Sequence, residues 1–78
     1  MKTMTCKQLG GACEMKFHAN SFEEMVELSK KHASEMFLKG DTPHLKAMQD
    51  MKTMMQSANA MQEWFQIKRN EFNALPEH

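Results

Sequence analysis

The chain has no charge imbalance. Ten Lys and Arg residues offset ten Asp and Glu residues, so the formal net charge is zero with histidine neutral. A neutral chain carries no electrostatic footprint for nucleic acid or an anionic membrane, and Lys30-Lys31 and Lys68-Arg69 are too short to make a basic patch. No apolar run approaches the roughly 20 residues that span a bilayer. The opening residues, MKTMTCKQLGG, lack the apolar stretch of a secretory signal. The expected compartment is therefore the cytoplasm, where Cys6 and Cys13 should remain thiols. Catalytic signatures are missing too. There is no P-loop, GxGxxG, GxSxG or Cys-x-x-Cys, and Glu23, Glu24 and Glu27 read as helix-dipole and solubility charges. No enzyme activity is expected from these residues.

What is present fits one small domain over residues 1–78. A chain of this length buries only about 60–65% of the surface that its unfolded form exposes, so a metal, disulfide or partner would help it fold. Methionine is the compositional outlier, at 10 of 78 residues. Its flexible thioether fills irregular core gaps and also lines adaptable binding grooves.

The hydrophobic pattern predicts an α+β fold, with a two-stranded antiparallel β-hairpin packed against three α-helices. The hairpin covers about residues 2–18, with strands at 2–7 and 12–18 that alternate in opposite phase. Folding about Leu9-Gly10 sets Cys6 opposite Cys13 and Met4 opposite Met15, all on one face, and Gly10-Gly11 supplies the turn. Helix 1 is expected over 22–39. Ser21 and Glu24 form a capping box at its start, and Met25, Leu28, Ser29, His32, Ala33 and Met36 form its stripe, ending at a left-handed Gly40. Helices 2 and 3 cover about 43–75. Thr42 is the expected cap with Pro43 at the first helical position, and Ser57 or Asn59 caps a third helix unless the two run on as one bent helix. Leu45, Met48, Met51 and Met55 line helix 2. Met61, Trp64, Phe65, Lys68, Phe72 and Leu75 line helix 3, which Pro76 ends. Cys6, Cys13, Met25, His32, Met36, Trp64 and Phe65 should be at least partly buried.

Cys6, Cys13 and His32 are the one chemically suggestive set. The hairpin turns both thiols toward helix 1, whose apolar stripe carries His32. Thiolates with an imidazole suit zinc first, then copper(I) or iron. Cys-x₆-Cys is not a zinc-knuckle spacing, and the set is one ligand short of the usual four. Met36, one turn beyond His32, is the candidate fourth ligand and would favour copper(I). Water or a partner could also complete the site. His18 has the wrong strand parity, and His44 and His78 read as solvated. Three other readings stand beside the metal. The cysteines could be small buried hydrophobes with a histidine at the core edge. They could form a reversible disulfide, since directly opposed strand residues lie within bridging range. The Met-rich helices could dock a protein partner or a second copy.

Residues 3–38 resemble a family of short bacterial and archaeal proteins of unknown function described as predicted small metal-binding proteins. Cys6, Leu9-Gly10, Cys13, Ser21-Phe22-Glu23-Glu24 and Lys31-His32-Ala33 carry the resemblance. It implies a metal site at the cysteines and His32. The family pattern has a second histidine near the helix end, where this chain has Phe37. From Asp41 onward the chain looks like the extended tail of a longer subgroup.

Overall fold

The computed structural model describes residues 1–77, which leaves His78 outside. Strands β1 (Lys2–Thr5) and β2 (Lys16–Ala19) form a two-stranded antiparallel sheet, followed by helices α1 (Phe22–Lys39), α2 (Thr42–Met54) and α3 (Ala58–Ala74). The fold is α+β, as the pattern predicts.

The strand register differs from expectation. Met4 pairs with Phe17 and Thr5 with Lys16, where the ladder ends. The slip is two residues, so side-chain parity survives: Met4 and Phe17 face the core while His18 stays exposed and meets the Thr3 hydroxyl at 2.9 Å. Residues 6–15 do not continue the strands. Lys7–Leu9 form a short 3-10 turn, closed by Gly10 at φ 91°, a left-handed conformation that glycine adopts without strain. Cys6 and Cys13 are therefore not an opposed strand pair, and Met15 is half exposed, at 50%.

Helix ends follow local chemistry. Ser21 caps α1 by accepting the Glu24 N–H at 3.2 Å, and Gly40, at φ 70°, ends it. The N-cap of α2 is Asp41 rather than Thr42, so Pro43 falls one position further in. A carboxylate is the better cap because it also answers the helix dipole. Ser57 accepts the Ala60 N–H at 3.4 Å and starts α3, which separates it from α2.

The apolar core lies between the hairpin, the first turns of α1 and the end of α3. It comprises Met4, Cys6, Leu9, Phe17, Ala19, Phe22, Met25 and Phe72. Phe22 and Phe72 meet edge to face at 6.0 Å. Arg69 ties α3 to α1 through Glu23 at 2.9 Å and covers the Phe22 ring at 4.9 Å. Cys13, Met36, Trp64 and Phe65 are half-buried, and His32 and Met25 are buried, as the pattern requires. The one buried residue of α3 is Phe72, and that of α2 is His44. No described helix is long and apolar enough to cross a membrane.

Candidate metal centre

The loop between the strands acts as a knuckle for two sulfurs. The Cys6 carbonyl accepts from the N–H groups of Leu9 (3.0 Å) and Gly11 (2.8 Å). The Cys6 N–H returns to the Met15 carbonyl at 2.8 Å, and the Lys7 N–H to the Cys13 carbonyl at 2.9 Å. Backbone N–H groups of Cys13 and Ala12 favour the Cys6 thiolate, and that of Met15 favours the Cys13 thiolate. Such donors stabilise a thiolate and do nothing for an apolar SH packed as a small hydrophobe. Gly11 allows the tight wrap, because a Cβ there would fall 2.0 Å from the Cys6 Sγ.

The two thiols differ electrostatically. Burial holds Cys6 above an ordinary thiol, and the neighbouring Cys13 adds to the rise. Burial pushes Cys13 the same way, but the Met15 N–H, His44 and Cys6 outweigh it, so Cys13 ionises more readily than usual. Cys13 is thus the readier thiolate of the two.

Two imidazoles close over the sulfurs from different helices. His32, 6% exposed, comes from the core-facing stripe of α1 and brings Nε2 to 3.3 Å from the Cys13 Sγ. Its ring packs edge to face on Phe17 at 5.6 Å. His44, also 6% exposed, comes from the first turn of α2 with Nε2 3.6 Å from the Cys6 Sγ. The two rings stand 5.2 Å apart at 79°. Asp41 sets the orientation of His44. Its carboxylate accepts the His44 backbone N–H at 3.1 Å and meets His44 Nδ1 at 2.5 Å. The same side chain thus caps α2 and assigns the proton to Nδ1, which turns Nε2 toward the sulfurs as a lone-pair donor. A carboxylate behind a histidine is the usual outer partner of a metal-bound imidazole. The Asp41 hydrogen bond also holds His44 above the ordinary histidine pKa against the opposing effect of burial, and His44 in turn lowers Asp41.

One ligand atom from each of Cys6, Cys13, His32 and His44 lies within 4.8 Å of the others. A tetrahedral centre with bonds of roughly 2.0–2.3 Å sets its ligand atoms about 3.3–3.8 Å apart. The two sulfur–nitrogen distances already fall in that range, so the cluster needs only a small contraction. Two thiolates and two neutral imidazoles neutralise a divalent ion and supply the Cys₂His₂ donor set of structural zinc sites. His32 is less supported than His44, because its buried Nδ1 has no hydrogen-bond partner among the described residues.

The structure brings Cys6, Cys13 and His32 together as expected, though through the loop rather than one face of the paired strands. The sequence does not predict His44, which is buried rather than solvated. The fourth member of the cluster is thus a second histidine where Met36, water or a partner was expected. The signal was local: with Asp41 as cap, His44 takes the third helical position, where a capping-box side chain reaches back to the cap. The resemblance directs attention to the end of α1 instead, where Phe37 is 62% exposed. The expected opposition of Cys6 and Cys13 across a strand pair, which motivated a reversible disulfide, does not form, and both cysteines are free. Comparison with family models, curated proteins and solved structures finds no match to this chain.

Proposed function

We propose that the protein binds one transition metal, zinc in the first instance, through Cys6, Cys13, His32 and His44. The observation that carries the reading is the convergence of these four donors within 4.8 Å. The Asp41–His44 pair supports it, because it orients a ligand and is not needed by a purely apolar core. Zinc fits better than copper(I), since two imidazoles and two thiolates at tetrahedral spacing are a borderline-soft set.

With four protein ligands the metal has no open position for substrate. The function is therefore structural use, storage or sensing rather than Lewis-acid catalysis. Metal binding adds to folding free energy, which suits a chain whose core is small. The test is elemental analysis of untagged protein beside Cys6→Ser and His44→Ala variants. One zinc per chain in the parent and loss in both variants supports the reading. Parent protein that takes up no metal when refolded with zinc under reducing conditions contradicts it.

A further inference from the structure

Beside the cluster lies a cleft of about 370 Å³ with α1, α2, α3 and the knuckle as walls. It falls within the size range of small-ligand sites. Leu9, Val26, Met48, Met51, Trp64 and Phe65 are among its lining residues. The Met48, Met51 and Met55 stripe, which sequence pattern alone would assign to a helix–helix contact, lines this cleft instead. Gly10 presses its backbone onto the floor, where a Cβ would meet the Met51 terminal methyl at 1.9 Å and Trp64 at 3.6 Å. The methionines can repack around an apolar body without a fixed shape.

The charges on the cleft are all of one sign. Lys30 and Lys52 are its ionised lining residues, and no Asp or Glu joins them. Lys52 has no ion pair among the described residues. Lys30 has only Glu27 at 3.8 Å, with both side chains mostly exposed, a pairing of small energetic weight. Ser29, beside Lys30, offers a hydroxyl. The other polar lining groups, Cys6 and His44, are turned to each other and to Asp41.

We propose that this cleft binds a small amphipathic anion, namely a monocarboxylate with an unbranched apolar chain. The chain lies along the methionines and Trp64, and the carboxylate sits between Lys30 and Lys52. An apolar body matches the walls, and one negative head matches two lysines whose only acidic neighbour is the exposed Glu27 beside Lys30. The site goes beyond the metal reading: Cys6 and His44 also line the cleft, but the chain is placed on the methionines and Trp64 and the carboxylate on the two lysines.

The test uses the chain's single tryptophan, Trp64, as reporter. Octanoate, decanoate and decanol are titrated below their micellar concentrations into the full-length protein, with zinc content measured in parallel. The expected result is saturable one-to-one quenching or shift of Trp64 emission, with affinity rising about fourfold per added methylene until the cleft is full. Decanoate should bind several-fold tighter than decanol, as expected for charge pairs at an exposed rim. The double variant Lys30→Glu, Lys52→Glu changes only exposed side chains. It should lose the preference for decanoate and acquire one for decylammonium, with unchanged helix content. Equal affinity for decanoate and decanol overturns the proposal, as does a variant that keeps the decanoate preference. So does light scattering that shows a dimer whose formation, rather than a ligand, shields Trp64. Zinc loss with ligand binding retained would defeat the metal reading alone, and zinc retention with no ligand binding would defeat this one alone.

Discussion

Helices α2 and α3 each contribute one buried residue, and the two side chains differ in kind. Phe72 of α3 sits in the apolar core, edge to face with Phe22. Its contribution comes from removing hydrocarbon from water and does not depend on what is dissolved there. His44 of α2 sits in a polar cluster with two sulfurs and another imidazole. A buried polar group stabilises only when its partners are in place. Phe72 therefore anchors α3 whatever the metal content, whereas α2, which also packs directly on α1, adds through His44 a contact that is favourable only when Cys6, Cys13, His32 and His44 are satisfied. Four donors that share a cation become a strong clamp. Without one they are weak contacts between a thiol pair and two rings. This contrast makes α2 the element through which metal content would be felt.

The largest effect expected is that of the metal itself. At free zinc a thousandfold above the dissociation constant, binding should add about 4 kcal/mol to unfolding stability. Chelation should remove it, with amide exchange quickening in α2 and the knuckle before α3. Equal loss of protection in both helices would break the contrast. Next in size is a pair of truncations. Phe72→Ala should cost about 3–5 kcal/mol with or without zinc. His44→Ala should cost most of its stability only in the zinc-loaded protein. Urea titrations of both variants, with and without chelator, give the comparison. A zinc-independent cost for His44→Ala would mean that the ring is an ordinary core residue.

A smaller effect concerns the Asp41–His44 pair. Asp41→Asn retains a side chain that can cap α2 but loses the carboxylate behind Nδ1. Zinc affinity should fall about 10–100-fold, measured by competition with a chromophoric chelator. The smallest effect is the pH dependence. In metal-free protein His44 titrates above its ordinary value, so its ion pair with Asp41 contributes stability that is fully present below the unfolded-state histidine pKa, near 6.5. That contribution fades as pH rises through the higher folded value. Asp41 titrates low, so on the acid side the pair is lost only as pH falls through that lowered value. Zinc binding has the opposite slope, because metal and proton compete for the imidazole and the thiols. Affinity should rise with pH over the range in which the apo ion pair weakens. Urea denaturation of apo protein and zinc competition, each run across that range, should show the two opposed slopes, and Asp41→Asn should flatten the first.

Much of this arrangement can be read in the sequence. Ser21 and Gly40 mark the ends of α1 because each has one strong local reason to be there: a hydroxyl for orphan N–H groups, and freedom at positive φ. Alternation places Met4 and Phe17 on the inner face even though the predicted register is off by two, since an even slip leaves every side chain on its own side. Gly10-Gly11 misleads. A glycine pair between alternating runs reads as a tight hairpin turn, but the N–H groups of Leu9 and Gly11 turn to the Cys6 carbonyl, and that preference is not visible in residue types alone. His44 is missed for a related reason. Its burial depends on how α2 docks against the knuckle, a long-range contact, while its local surroundings of Thr, Pro, Leu and Lys look like a solvated first turn. Asp41 is the clue that could have been used, because Asp-x-x-His at a helix start places an acid against an imidazole whatever the tertiary fold.

The central claim is that His44 is a metal ligand and so clamps α2 to the hairpin loop. X-ray absorption at the zinc edge tests it most directly, on zinc-loaded protein beside His44→Ala. The parent should show two sulfurs at about 2.3 Å and two imidazole nitrogens at about 2.0–2.1 Å, and the variant should replace one imidazole with a light oxygen donor. A parent spectrum with a single imidazole, or one that His44→Ala leaves unchanged, would contradict the account.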